Sequence, residues 1–302
     1  MIPSFPEFKK LELTDKEDIE KITWNYPPYS DFNFVSMYSY NTSEKIEISI
    51  LNGNLVLLFE DYIDGSPFFT FFGENNITET IEILVNEAEK KGITKKLSLI
   101  PEFSVLPILE NKEFVITEDP DNHDYILSIQ ELSEFAGNKF YDKRNLVNRF
   151  KNIYPEYETR TLDLNNSKIQ EEIIELFYTW EKLRNKKREE TEHELIAINR
   201  LLEANQSFKL LAQGIYHDNK MIAFTIKEVI QKNYAIVHFE KCNISFDGIS
   251  SILRQESAKF LRTHGCEFLN FEQDLGIEGL KKAKQLWRPV HFLKKYTITK
   301  SD

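Results

Sequence analysis

Cysteine is nearly absent from this chain: Cys242 and Cys266 are the two in 302 residues, far apart, with no CxxC and no paired histidine spacing. That usage argues against a disulfide framework and a structural zinc site, and it leaves both thiols as small buried hydrophobes. Histidine is sparse too. His123 and His193 have acidic neighbours but no second histidine at ligand spacing, so no metal site is expected. Long apolar runs are missing: no stretch approaches the roughly 20 residues of a membrane helix. The opening MIPSFPEFKKLELTDKED carries neither the basic start nor the apolar block of a signal peptide, and the expected compartment is the cytoplasm. Positive charge is scarce in one half only. Residues 1–135 hold 26 acids and 10 bases, whereas residues 136–302 hold 23 acids and 28 bases. A net charge of −11 does not suit a protein that grips duplex DNA, which would be basic overall.

What is present is enough apolar sequence, 41%, for ordinary cores in two domains. Residues 13–24 and 32–40 read as helices, followed by apolar runs at 46–50, 55–59 and 68–72. Asn52-Gly53-Asn54 and Asp64-Gly65 separate those runs, which predicts antiparallel hairpins. A helix follows, with Ile81, Leu84, Val85 and Ala88 as its stripe and Gly92 as its stop. The second half repeats the order with more helix in front: helices at 139–154, 168–187 and 193–205, then strands at 208–216, 221–229 and 234–241. His217-Asp218-Asn219-Lys220 reads as the turn between the first two of these strands. A helix at 250–263, a strand at 267–271, a lysine-rich helix from about 276 and a strand at 294–299 complete the chain. The expected fold class is therefore α/β (α+β), in two domains, 1–135 and 136–302, each a mixed, mostly antiparallel sheet flanked by helices.

The element order resembles the GNAT acyltransferase fold in tandem. The motifs NKFYDKRNLVNRFKNIYP (138–155), VHFEKCNISFDGISSILRQESAKF (237–260) and NFEQDLGIEGLKKAKQLWRP (270–289) resemble the C-terminal domain family of phosphatidylglycerol lysyltransferase, in its free-standing branch. YPPYSDFNFVSMYSY (26–40) fits the same branch. The resemblance implies an acyl- or aminoacyltransferase that moves its group to an amine or hydroxyl acceptor, either a small molecule or a lipid headgroup. The implied donor is aminoacyl-tRNA, met at its acceptor end, or acyl-CoA. Enzymes that use acetyl-CoA resemble one another in a Q/R-x-x-G-x-G/A loop whose backbone amides hold pyrophosphate. NISFDGISS offers only Gly248 at that place, which weighs against acetyl-CoA. A non-catalytic ligand-binding protein that keeps the fold is the alternative.

In the implied arrangement two parallel strands, 234–241 and 267–271, splay apart and ligands enter at their carboxyl ends. Strand alternation places His238 and Glu240 on one face, and Asn270 and Glu272 on one face of the neighbour. Glu240 is the candidate base, with His238 behind it; Glu272 or Asp274 would orient a cation. A helix from Gly276 puts Leu280, Ala283, Lys284 and Trp287 on one arc, so Lys284 either lays its stem on apolar surface or reaches into the site. A structural salt-bridge network of Glu240, Glu272, Lys241 and Lys284 explains the same residues. Residues 279–300 contain seven bases and no acid, Lys281 among them, and suit a phosphate-bearing ligand, although charge runs are usually solvated faces. In the helix 139–154, Arg144 with Asn148, and Asn145 with Arg149, could grip phosphate or RNA backbone, and an amphipathic helix with a solvated basic face explains the pattern equally well. The cluster Phe68, Phe69, Phe71 and Phe72 reads as core strand rather than a base-stacking platform.

Overall fold

A computed structural model describes residues 1–230 and 233–301. The chain divides into two compact units, and neither is a continuous half. The first contains Met1–Tyr125, Glu272–Leu286 and the segment from His291 onward; the second contains Ile126–Phe271 and Trp287–Val290. This differs from a cut at residue 135, because two late segments pack with the first unit.

In the first unit β1 (Lys9–Lys10), β2 (Glu47–Leu51), β3 (Asn54–Glu60) and β4 (Pro67–Phe72) pair antiparallel in that order. The helices α1 (Lys16–Thr23) and α2 (Phe34–Tyr40) precede β2. Asn52 and Gly53 both take positive φ, 53° and 81°, and close the expected two-residue hairpin between β2 and β3. The helix α3 (Ile77–Lys91) ends on Gly92 at φ 67°. Its stripe of Ile77, Ile81, Leu84, Val85 and Ala88 shares one core with Phe69 and Phe71 of β4 and with Leu97 and Ile100 of β5 (Leu97–Pro101). All four phenylalanines of β4 are buried, and each contributes about 2 kcal/mol by area, an upper figure. A second sheet places the late strand Lys295–Lys300 between β5 and β6 (Phe114–Glu118), antiparallel to both; the short helix α4 (Glu102–Val105) follows β5. That insertion carries Lys295 into the interior, where it is 0% exposed.

In the second unit the strands run in the order β7 (Asp124–Ser128, from Ile126), β12 (Phe268–Asn270), β11 (Tyr234–Cys242), β10 (Lys220–Ile230), β9 (Leu210–His217) and β8 (Glu158–Thr161). Among them β11 and β12 are parallel and the other pairs antiparallel. The parallel pairing runs from Tyr234 to Ile236 of β11 and ends where β12 ends, at Asn270. Asp218 and Asn219, at φ 49° and 59°, make the expected turn between β9 and β10. The helices are α5 (Ile129–Glu134), α6 (Tyr141–Ile153), α7 (Ser167–Leu183), α8 (Arg188–Glu203) and α9 (Ile249–Thr263).

Successive residues of β11 face opposite sides of the sheet: Glu240 bonds Arg254 of α9, and Lys241 bonds Glu194 of α8. Gly248 precedes α9 at φ 85°, and a Cβ there would run into the Leu146 carbonyl and the Phe150 side chain of α6. This glycine is needed where α6 crosses the start of α9.

Candidate functional site

The second unit has a polar centre where an apolar core would otherwise be continuous. Thr225 of β10 lies directly across from Glu240 of β11. Arg254, in the second turn of α9, donates from Nη2 to Glu240 Oε1 at 2.7 Å. Its guanidinium lies 4.0 Å from the Phe271 ring centroid and 5.2 Å from that of Trp287. Arg254 is fully buried, while the Glu240 side chain remains 15% exposed. Four buried atoms here have no hydrogen-bond partner among the described residues: Arg254 Nε and Nη1, Glu240 Oε2 and Thr225 Oγ1. Leaving such groups unmatched costs about 1–3 kcal/mol each, and together they offer donors on Arg254 and an acceptor on Glu240 to one and the same partner group.

Two further amines border this centre. Lys227 of β10 is 0% exposed and donates to Gln213 Oε1 at 2.6 Å and Ser257 Oγ at 2.7 Å. Burial pushes its amine down to about 7. Lys143 of α6 lies 4.1 Å from the Trp287 ring centroid, and burial, then the charges of Arg254 and Arg288, lower its amine.

The first unit holds a separate buried cluster. Lys295 bonds Asp124 Oδ1 at 2.7 Å and pairs with Asp31. Ser30 donates to Asp124 twice, from its backbone N–H at 2.7 Å and its hydroxyl at 2.6 Å. Gln273 Nε2 reaches Asp31 at 3.0 Å, and the Tyr62 hydroxyl reaches the same oxygen at 2.8 Å. One lysine facing two carboxylates cannot neutralise both, and burial pushes Asp31 up against the pull of Lys295. Burial alone would pull the Lys295 amine down, but Asp124 and Asp31 together hold it above the ordinary lysine value.

Beside this cluster Glu272 and Lys284 are brought together. α10 (Glu278–Gln285) buries Lys284, which donates to the Gln273 carbonyl at 2.7 Å. Burial pushes Glu272 up to about 8 despite Lys284, and burial pushes Lys284 down to about 8 despite Glu272. Between about 4.5 and 8 the unfolded chain ionises this carboxyl while the fold keeps its proton, so its contribution falls as pH rises. Above 8 the folded state is relieved of the buried Lys284 charge, and stability recovers toward 10.5. Glu272→Gln is therefore expected to raise the thermal midpoint relative to the parent progressively from pH 5 to pH 8, by on the order of 5 °C at the upper end. Parallel melting curves across that range would refute it.

The sequence-derived residues fall into two groups. Glu240, His238, Lys241, Arg144, Asn145, Asn148, Arg149 and Asn270 belong to the second unit; Glu272, Asp274, Lys281 and Lys284 belong to the first. His238 and Glu240 do not share a face. The register steps from Ile226↔Phe239 to Lys227↔Val237, so His238 is the extra residue of a β-bulge. It lies 3.8 Å from Glu228, which points away from the face that carries Lys227. Glu272 is not on a strand either: β12 stops at Asn270, and Glu272 takes φ 55° beyond it. Asp274 accepts from the Tyr125 hydroxyl and from the Gly276 N–H at 2.9 Å. Lys241 is held by Glu194 at 2.5 Å and lies over Trp180. Lys281 pairs with Asp121 at 3.2 Å. Arg144 is turned to the carbonyls of Phe135 and Gly137, and Arg149 to Asp247 at 2.9 Å, while Asn145 and Asn148 are exposed.

Sequence reasoning passed over Thr225, Lys227 and Arg254, and in the first unit Ser30, Asp31, Asp124 and Lys295. Lys227 did leave a signal: a lysine inside FTIKEVI, otherwise a strand for a covered sheet.

Comparison with known proteins gives these residues a context. The phosphatidylglycerol lysyltransferase C-terminal family matches residues 26–299. A conserved protein of unknown function from Bacteroides thetaiotaomicron VPI-5482 is similar over 100% of both chains, with 27% identity and a TM-score of 0.85. The structure of L-PGS from Bacillus licheniformis shares 12% identity over 97% of this chain and 93% of that one, at a TM-score of 0.65. A tandem GNAT protein from the clavulanic acid biosynthesis pathway shares 10% identity over 98% and 99%, at 0.50. No curated protein matches the sequence. Among the described residues no helix is long and apolar enough to cross a membrane. The fold is a tandem GNAT-like one, and by the match over residues 26–299 the chain belongs to the phosphatidylglycerol lysyltransferase C-terminal family.

Proposed function

We propose that this chain is an acyl- or aminoacyltransferase whose reaction centre is Glu240 with Arg254. The observation that carries this reading is the pair's unmatched atoms: a carboxylate oxygen free to accept a proton beside guanidinium N–H groups free to meet a developing oxyanion. The acceptor's hydroxyl or amine attacks the donor's ester or thioester carbonyl, forming the new bond as its proton passes to Glu240. Arg254 holds the oxyanion until the donor's bond breaks, and Glu240 returns the proton to the leaving oxygen or sulfur. Aminoacyl-tRNA is favoured over acyl-CoA as donor. The one glycine at the place of a pyrophosphate loop, Gly248, is committed to close packing against α6.

The test is transfer of labelled aminoacyl groups from a charged tRNA pool, and in parallel of labelled acetyl-CoA, to phosphatidylglycerol vesicles and to small amines. A labelled product from charged tRNA supports the reading. Transfer from acetyl-CoA alone reverses the donor order, and absence of product from both donors defeats the transferase reading.

A further inference from the structure

The second unit buries a lysine that the proposed chemistry does not touch. Lys227 stands on the same sheet face as Thr225 and Glu240, since Thr225 lies two residues along β10 and opposite Glu240. Its amine is fixed from two sides, by Gln213 of β9 and Ser257 of α9, with the Phe260 ring 5.4 Å away. Both partners are neutral, so neither supplies a counter-charge. The charged or titratable groups that act on it are Glu240 of β11, Arg254 of α9 and Cys266 just before β12. Glu240 is already paired with Arg254. Lys227 and Arg254 thus have one carboxylate, Glu240, between them.

A purely structural lysine would be expected to end on a carboxylate or in water, since a buried ammonium without a dedicated anion is costly. Methionine would fill the same space without that cost. What the ammonium adds is field. A second positive charge near enough to interact with Arg254, in a buried setting, acts on any negative charge that forms at Arg254 more strongly than it would in water.

We propose, on the reading that Glu240 and Arg254 form the reaction centre, that Lys227 is a positioning residue whose ammonium adds to the positive potential at Arg254 and raises the transfer rate while it is charged. Burial lowers this amine to about 7 against the opposing effect of Glu240, so the charge is present below neutral pH and is lost as pH rises through 7. The rate follows in the same direction. It falls by about tenfold between pH 6 and pH 9 and then levels, which corresponds to a charge effect of about 1.4 kcal/mol on the barrier.

The deciding experiment measures kcat/KM against pH for the parent chain, Lys227→Met and Lys227→Arg, with Glu240→Gln alongside, and follows the lysine ε-carbon signals by NMR in the parent. The expected result is a fall through pH 7 in the parent, a flat and about tenfold lower profile in Lys227→Met, and a flat, high profile in Lys227→Arg. One ε-carbon signal should titrate near 7. A fall through pH 7 that persists in Lys227→Met overturns the assignment while leaving the reaction centre standing, provided Glu240→Gln is inactive. Full turnover by Glu240→Gln overturns the centre itself, and the Lys227 role with it. Should Lys227→Met not fold, Lys227→Arg and the ε-carbon titration decide: if the ε-carbon signal that disappears in Lys227→Arg has its midpoint above 9 in the parent, the proposal is overturned.

Discussion

Lys295→Met is expected to destabilise the first unit by about 3–5 kcal/mol, because it removes the lysine shared by two buried carboxylates. Lys295 and Asp124 are 0% exposed and Asp31 is 2% exposed, so water cannot take over the lost interaction. Ser30, Gln273 and Tyr62 would still donate to the two acids, but none of these donors carries a charge. The folded-state value of Lys295 lies above the ordinary lysine value, so its stabilisation is fully present below that value and is lost only as pH rises through the folded one. The damage in Lys295→Met should shrink in acid, where Asp31, whose pKa burial raises, takes up a proton. Adding Asp31→Asn and Asp124→Asn to the variant should restore most of the loss. Thermal melting at pH 5 and pH 8 checks both statements; a single variant melting within a degree of the parent at pH 8 would remove the cluster from any structural role.

Glu240→Gln is expected to lower turnover by 10²- to 10⁴-fold with little change in KM. Glutamine keeps the shape and can still accept from Arg254 Nη2, so folding should survive; circular dichroism and melting provide that control. What it loses is the capacity to take a proton from the attacking group. A protein that only binds its ligand would show undiminished affinity in this variant and no turnover in the parent. Retained turnover in Glu240→Gln would mean that another group is the base.

Much of the architecture was legible because it is local. The Asn52-Gly53 and Asp218-Asn219 turns and the α3 stripe follow from turn chemistry and periodicity. The candidate site was legible only in part. A bulge adds one residue without changing a strand's composition, so nothing in VHFEKC announces that His238 leaves the face of Glu240. The seven bases of residues 279–300 look alike in sequence, yet Lys281 sits in a surface pair, Lys284 is 7% exposed and Lys295 is fully enclosed. What separates them is strand pairing with β5 and β6, nearly two hundred residues earlier, and charge spacing carries no record of such a partner.

That pairing also sets a timetable for biosynthesis. Asp31 and Asp124 leave the ribosome long before Lys295, and the gap between β5 and β6 stays open until the stretch 295–300 has emerged. The earliest-made portion of the polypeptide is thus among the last to mature, holding its acids in waiting while almost all of the intervening sequence has already been translated.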